Sequence, residues 1–482
     1  MSLRKKMAHG ALWSFVEKGS VQLTSFVLFT VIVRIVGPAE YGLVALCYVY
    51  LGFGTTIFGS LPDGVTSLKI EDDRRLSTFF WTVLGGGLTL GALGYLMAAP
   101  LGILLHQDRF AELFQWFCCL PILVGLASVP NAILLSKMRF RLAAIRSLVG
   151  TTAGGAIGII LALKGFGAMA LFAQQATNYV CANLVLWIGC QWRPKLQFDR
   201  SALVEMIAPG INYAGVNLVS YAQDQLPRFF IGYFLGTTAV GYYSFANRLA
   251  DTMREVIFAP ISIVMFPALA SIKGKLSEQK RIISQLVFLL GMLIVPITIG
   301  AIFTAPTYVP LIFGDAWNPA ISTVQLYLLS LFASPMITVV QSVFRAQNST
   351  GEFLKIQVCL VGVILFGSFL ISPLGLPPLT AFLAASAIVS LPLYTLTLRR
   401  KLNVDLCGDY KALLPSLLAA LIMVCAIETF DLYIGRSQNA WSRFAFSVAL
   451  GAIVYATVAT LLYRERAKHL LGIVRLRLQQ RT

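Results

Sequence analysis

The chain has 482 residues, of which 57% are hydrophobic and only 12% charged, and its mean hydropathy is +0.77. That composition excludes an ordinary water-soluble globular protein. The formal charge of +17 is spread over alternate loops rather than gathered on one soluble face, so it argues for a membrane and against nucleic acid.

About fourteen apolar stretches, each long enough to cross a bilayer as a helix, follow one another along the chain. They fall near 11–36, 41–62, 79–104, 113–136, 143–163, 167–190, 206–235, 239–269, 283–305, 320–344, 354–373, 377–398, 411–430 and 441–463. The expected fold is all-α and polytopic, with connectors too short to hold a separate soluble domain. Arg4, Lys5 and Lys6 precede the first stretch. That stretch is too long for a signal peptide and lacks a small-residue cleavage site, so it is expected to remain as the first helix.

The connectors divide by charge. Both termini and the even-numbered connectors hold about twenty-nine Lys and Arg, including Arg74, Arg75, Lys137, Arg139, Arg399 and Arg400. The odd-numbered ones hold about five, chiefly Arg109, Lys164 and Arg436. The positive-inside rule then places both termini in the cytoplasm.

Two turns repeat. Val36-Gly37-Pro38-Ala39-Glu40-Tyr41-Gly42 closes the first stretch, and Leu235-Gly236-Thr237-Thr238-Ala239-Val240-Gly241 closes the seventh. Lys164-Gly165-Phe166-Gly167 corresponds more loosely to Leu374-Gly375-Leu376-Pro377. Six-helix units that start in the same orientation form a parallel repeat, which predicts two lobes around a cavity. The expected division is residues 1–200 for an N-terminal lobe and 201–402 for a C-terminal lobe. Residues 403–482 then supply two added helices and a basic tail.

Formal charges inside apolar stretches mark candidate functional residues, because each costs about 2.5–3.5 kcal/mol on insertion scales and must face protein or water. The first stretch carries Glu17 and Lys18, with Gln22 a turn later. The seventh carries Asp224 and Arg228 around Pro227, and the eighth carries Arg248, Asp251, Arg254 and Glu255. Ser244, Arg248, Asp251 and Glu255 share one helical face. Arg248 is expected roughly 15 Å deep, near the level of Asp224. Two readings are open: mutual neutralisation between helices, or a hydrated cavity for an anionic or sugar-rich substrate, in which Arg suits phosphate.

Other chemistry is sparse. There is no G-x-x-x-x-G-K-[ST] phosphate loop. His9, His106 and His469 sit at stretch ends or in tails, and the eight cysteines have no C-x-x-C spacing. Glu71-Asp72-Asp73 lies among Lys69, Arg74 and Arg75 and reads as a solvated charge cluster. No catalytic residue, metal site or cofactor is expected, and the chain reads as a transporter rather than an enzyme.

Particular residues resemble a known family. Gly10-Ala11-Leu12-Trp13-Ser14-Phe15, the Arg34–Leu43 turn, Asp224, Gly232-Tyr233-Phe234-Leu235-Gly236, Gly241-Tyr242-Tyr243-Ser244-Phe245-Ala246-Asn247-Arg248-Leu249 and the Phe258–Pro267 stretch carry the likeness. They are similar to the polysaccharide transporter (Wzx-type, colanic-acid-exporter-like) branch of the multidrug/oligosaccharidyl-lipid/polysaccharide exporter superfamily. The likeness covers essentially the whole chain, including two final helices that the drug-exporting branch usually lacks. It implies a bacterial inner-membrane flippase for undecaprenyl-diphosphate-linked oligosaccharide, working by alternating access. It also implies glycan polymerase and export machinery as partners, and H⁺ or Na⁺ as a coupling ion.

Under that resemblance, Arg228, Arg248 and Arg254 face the diphosphate or acidic sugars. Asp224, Asp251 and Glu255 pair with them or answer the coupling ion, and Glu17, Lys18 and Gln22 line the opposing lobe. Two competing readings are an ion-coupled exporter of small molecules on the same fold and a non-transporting scaffold of a glycan-assembly complex.

Overall fold

A computed structural model describes the backbone of all residues except 1–2, 68–71, 138, 272–275, 347–349, 403–412, 434–438 and 464–482. Among the residues it describes, it leaves aside the side chains of 3–18, 57–67, 140, 202, 204–216, 256–271, 276–280, 282, 345–346, 350 and 401–402. Cys407, the one cysteine that the sequence puts in a connector, and two residues of Asn348-Ser349-Thr350, a match to the glycosylation sequon expected at a cytoplasmic helix end, therefore lie outside the described residues.

The described residues are mostly helical, with no strand and with a non-helical connector over 190–199. The first half runs α1 (Leu3–Val36), α2 (Pro38–Ser67), α3 (Asp73–Leu104), α4 (Asp108–Phe117), α5 (Leu120–Ser136), α6 (Phe140–Leu163) and α7 (Ala168–Gly189). Next comes α8 (Arg200–Ser271), a 72-residue run broken at Gly236 into an outgoing arm, 200–235, and a returning arm, 237–271. The second half continues with α9 (Leu276–Phe313), α10 (Ile321–Leu328), α11 (Ser334–Ala346), α12 (Thr350–Ile371), α13 (Leu376–Leu402), α14 (Leu414–Tyr433) and α15 (Ala440–Leu462).

Every apolar stretch read from the sequence coincides with one of these helices or with a broken pair of them. Ten helical stretches among the described residues are long and apolar enough to cross a membrane. Their outer faces carry large apolar side chains, Ile103 at 75% exposure and Leu96 at 72% among them. That is the inversion expected when the solvent is lipid. The protein is a multi-pass membrane protein.

Breaks follow local chemistry. The stretch 113–136 divides at Cys118 and Cys119, with Pro121 in the first turn of α5, where a missing N–H costs nothing. Asp72 caps α3 by accepting from Arg74 N at 3.1 Å, and Asp73 pairs with Lys195 at 2.9 Å. Part of the cluster read as solvated charge is thus a helix start and an anchor. Backbone geometry stays helical through Pro227, and the non-helical residue inside α8 is Gly236.

The chain divides into two compact units, Met1–Arg248 with Gln357–Leu379, and Leu249–Ile356 with Thr380–Thr482. In the first, small residues let helices approach closely. A methyl group at Gly150 or Gly154 of α6 would collide with Asn178 or Gln174 of α7, and one at Gly87 of α3 would lie 2.8 Å from Pro121 O of α5. Phe79, Phe80 and Val83 of α3 pack with Val129 and Ile133 of α5, flanked by Trp81, Trp187 and Trp192. Glu40 holds the N-terminus of α7 by accepting from Ala168 N at 2.9 Å, and also takes Arg109 at 2.6 and 3.3 Å.

In the second unit, α14 and α15 pack onto α9 through Phe288, Val295, Ala419, Met423, Ile427, Tyr455 and Ala459. The pair is tied at one end by Arg443 to both oxygens of Asp431, each at 3.0 Å, and at the other by Tyr463 to Ser416 at 2.8 Å.

Candidate functional site

The candidate site is built around the turn at Gly236, which brings the two arms of α8 side by side. Gly37 has φ +80° and Gly236 φ +81°, a left-handed conformation that glycine adopts without a Cβ penalty. The two repeated sequences therefore make the same sharp reversal. Gly165 at φ +82° and Gly375 at φ +113° mark the looser second pair.

Eight residues before Gly236, Arg228 is buried, only 9% exposed. Its Nη1 donates to Gln225 Oε1 at 2.6 Å and its Nη2 to Asn247 Oδ1 at 2.7 Å, so the side chain is held across the two arms. Its Nε is buried without an acceptor, and among the described residues none of the ion pairs includes Arg228. A buried cation is thus oriented by two neutral amide oxygens. Such contacts fix the guanidinium and leave its charge in place.

Twelve residues beyond Gly236, Arg248 donates to Ser25 Oγ of α1 at 2.7 Å and stands over the Phe29 ring at 5.8 Å. Ser25 lies twelve residues before Gly37, so both partners sit about 18 Å along their helices from the turns. Phe29 also stacks on Phe245 at 6.3 Å and meets Tyr41 edge-on at 5.7 Å. Tyr221 on the outgoing arm donates to Val49 O of α2 at 2.7 Å, and Gln357 Nε2 of α12 donates to Ser220 Oγ at 2.7 Å.

The remaining expected residues are placed as follows. Gln22 is half-buried on α1, with Nε2 buried and lacking an acceptor among the described residues. Asp224 is on the outgoing arm with an exposed side chain. In the other unit, Asp251 pairs with Arg254 at 3.1 Å, both about one-third exposed, and Glu255 is exposed. Glu17 and Lys18 fall in α1, where their side chains lie outside the described residues. The structure thus joins Arg228 to Asn247 and Arg248 to Ser25, and separately Asp251 to Arg254.

Reading formal charges alone missed Gln225, Asn247, Ser25, Tyr221 and Gln357. Amides and hydroxyls inside apolar stretches were the available signal.

A family model described as Polysaccharide biosynthesis protein matches residues 31–322, more than half of the chain. The chain belongs to this polysaccharide biosynthesis protein family. It is similar to the succinoglycan biosynthesis transport protein ExoT of Rhizobium meliloti (strain 1021), with 24% identity over 98% of this chain and 96% of that protein. It is also similar to the lipopolysaccharide biosynthesis protein WzxC of Escherichia coli (strain K12), with 23% identity over 68% and 67%. Among solved structures, the lipid II flippase MurJ in an inward closed conformation superposes with a TM-score of 0.79 at 15% identity, covering 95% of this chain and 99% of that one. The fold is therefore MurJ-like, and the polysaccharide-transporter branch named from the residues is the family found.

Proposed function

We propose that this family member is a flippase that moves undecaprenyl-diphosphate-linked oligosaccharide from the cytoplasmic to the extracytoplasmic leaflet of a bacterial inner membrane by alternating access. The carrying observation is Arg228, a buried guanidinium held by Gln225 and Asn247 with no carboxylate among its polar partners. An arginine so placed is expensive unless a hydrated path or an anionic ligand uses it. A diphosphate offers several charge-assisted acceptors, and Arg presents its donors as a fixed fork that fits them. Arg248 supplies a second cation beside Ser25, with Gln22 on the same helix offering an unused amide donor for sugar hydroxyls.

The reading includes fourteen membrane-spanning helices in two six-helix lobes, with α14 and α15 as an added pair and both termini cytoplasmic. Lys18 and Glu17 line the first helix. Asp224, Asp251 and Glu255 balance the cations or bind a coupling ion, H⁺ or Na⁺, and Arg254 is a further candidate to meet the anionic group. Catalysis has no place in this scheme, and a glycan polymerase and export machinery receive the product. The naming of ExoT and WzxC as polysaccharide and lipopolysaccharide biosynthesis proteins supports it, as does the MurJ-like fold.

The test is a strain lacking the gene and its paralogues, assayed for surface polysaccharide and for lipid-linked oligosaccharide in the cytoplasmic leaflet. Lost glycan with accumulated lipid-linked repeat unit is the expected result. Normal surface glycan with no accumulation would overturn the assignment.

A further inference from the structure

The two repeated turns touch each other, and they do so reciprocally. A methyl group placed on Gly42 would run into the backbone carbonyl of Thr237, and one placed on Gly241 would run into that of Pro38. Pro38 and Thr237 are the residues that directly follow Gly37 and Gly236, and Gly42 and Gly241 come four residues later. The first turn of α2 and the first turn of the returning arm of α8 therefore exchange equivalent contacts, each glycine seated on the other's leading carbonyl. The added carbon at Gly42 would also lie 2.8 Å from Gly241 N, so the two glycines are back to back. Only hydrogen-bearing Cα atoms fit there, in the manner of close Cα–H to carbonyl contacts between membrane helices.

Two further layers lie beneath this contact. Phe29 and Phe245 stack in an aromatic layer, which Tyr41, beside Gly42, meets edge-on from the contact above. Below it, Ser25 and Arg248 meet about 18 Å in from the turns. The order from rim to interior is thus backbone on backbone, ring on ring, and then the cation. Tyr221 closes the neighbouring seam at matching depth: a methyl at Gly52 of α2 would collide with its hydroxyl, which donates to Val49 O.

We infer that Gly42 and Gly241 are positioning residues for transport, the closing surfaces of an extracytoplasmic gate above Arg248. The inference rests on the flippase reading and adds to it the contact that must separate for substrate to leave. Neither glycine touches substrate. Both act by setting how favourable the closed state is, because a side chain at either position is tolerated only when the turns part. Alanine at these positions biases the protein toward the state open to the outside.

The experiment uses the full-length chain in cells, with Ser25→Cys as a reporter beneath the gate. A membrane-impermeant maleimide is added outside, and modification at residue 25 is read by peptide mass spectrometry, so the native cysteines need no removal. Gly42→Ala with Gly241→Ala is expected to speed labelling from outside by about tenfold or more, the signature of a population shift of that size. Unchanged labelling in a correctly inserted, monodisperse double variant overturns the inference. So does an equal increase from the cytoplasmic side, which would indicate general loosening.

Should the alanine variants not accumulate, Pro38→Cys with Thr237→Cys, bridged by a short reducible bis-thiosulfonate, tests the same contact. Export is expected to stop on cross-linking and return on reduction, and export that continues through the cross-link refutes the gate. Labelling of residue 25 requires no substrate, so a normal gate response in a protein that fails the leaflet assay removes the flippase reading alone.

Discussion

Replacing Arg228 by Gln separates a structural arginine from one held ready for an anion. The substitution removes the charge-assisted donation to Gln225 and Asn247, bonds of 2.6 and 2.7 Å. Hydrogen bonds to a charged group contribute about 1.5–3 kcal/mol each. Against that loss stands, on the flippase reading, the cost of keeping a cation inside a membrane-spanning helix, about 2.5–3.5 kcal/mol on insertion scales. A glutamine amide recovers one of the two donations, so the ligand-free stability is expected to change by about 1 kcal/mol or less. Substrate binding has no such compensation. A unit charge about 5 Å from a phosphate contributes about 3 kcal/mol at an effective dielectric near 20. Partial hydration trims this to about 2–3 kcal/mol, or roughly 30- to 150-fold in affinity. The assay is thermal unfolding in nanodiscs with and without undecaprenyl diphosphate, alongside surface-glycan rescue. Arg228→Gln is expected to unfold like the parent without ligand and to lose the ligand-induced shift, with Arg228→Lys falling between. A variant that loses stability without ligand yet keeps the ligand shift would refute the reasoning and make Arg228 a packing residue.

Two further predictions concern the scaffold. Glu40→Ala is expected to destabilise the first unit by about 1–2 kcal/mol, because it uncaps Ala168 N at the start of α7. Arg109→Ala is expected to cost under about 1 kcal/mol, since the Arg109 side chain is 71% exposed and its pairing is screened; thermal melts of the two variants check the order. Asp431→Arg is expected to loosen the α14–α15 pair by about 1 kcal/mol, and adding Arg443→Asp to restore most of it, as measured by protease resistance of the C-terminal fragment.

The sequence was most legible where the membrane dictates it. Twenty apolar residues in lipid have to satisfy their backbone internally, so helix positions followed from hydropathy, and the glycines at 37 and 236 showed where the chain reverses. Breaks inside apolar runs were hidden, because Cys118 and Cys119 are as apolar as their neighbours. Arg109 looked like a stray positive residue in an odd connector. Its partner Glu40 is 69 residues away, and no local pattern announces such a pair. Arg228 was found because charge in a span is conspicuous, whereas Asn247 was passed over because an amide is not. The reciprocal seating of Gly42 and Gly241 needed coordinates, since the repeat shows that two turns are alike but not that they meet.

The choice of amides around Arg228 makes one last prediction. A carboxylate at residue 247 would keep an oxygen 2.7 Å from Arg228 Nη2 and turn a neutral acceptor into an ion-pair partner with almost no change in volume. If the role of residue 247 were to secure helix packing, Asn247→Asp would be harmless or beneficial for export. If its role is to orient a cation while leaving it available, the new carboxylate occupies the charge that the diphosphate needs and repels the phosphate as well. Asn247→Asp is then expected to raise the unfolding temperature and lower export by at least tenfold, a gain in stability joined to a loss of function. Asn247→Ala, which removes the orienting acceptor but adds no charge, is expected to lose less. Export by Asn247→Asp at the parent rate, in protein confirmed as stabilised, would show that Arg228 does not meet an anion during transport.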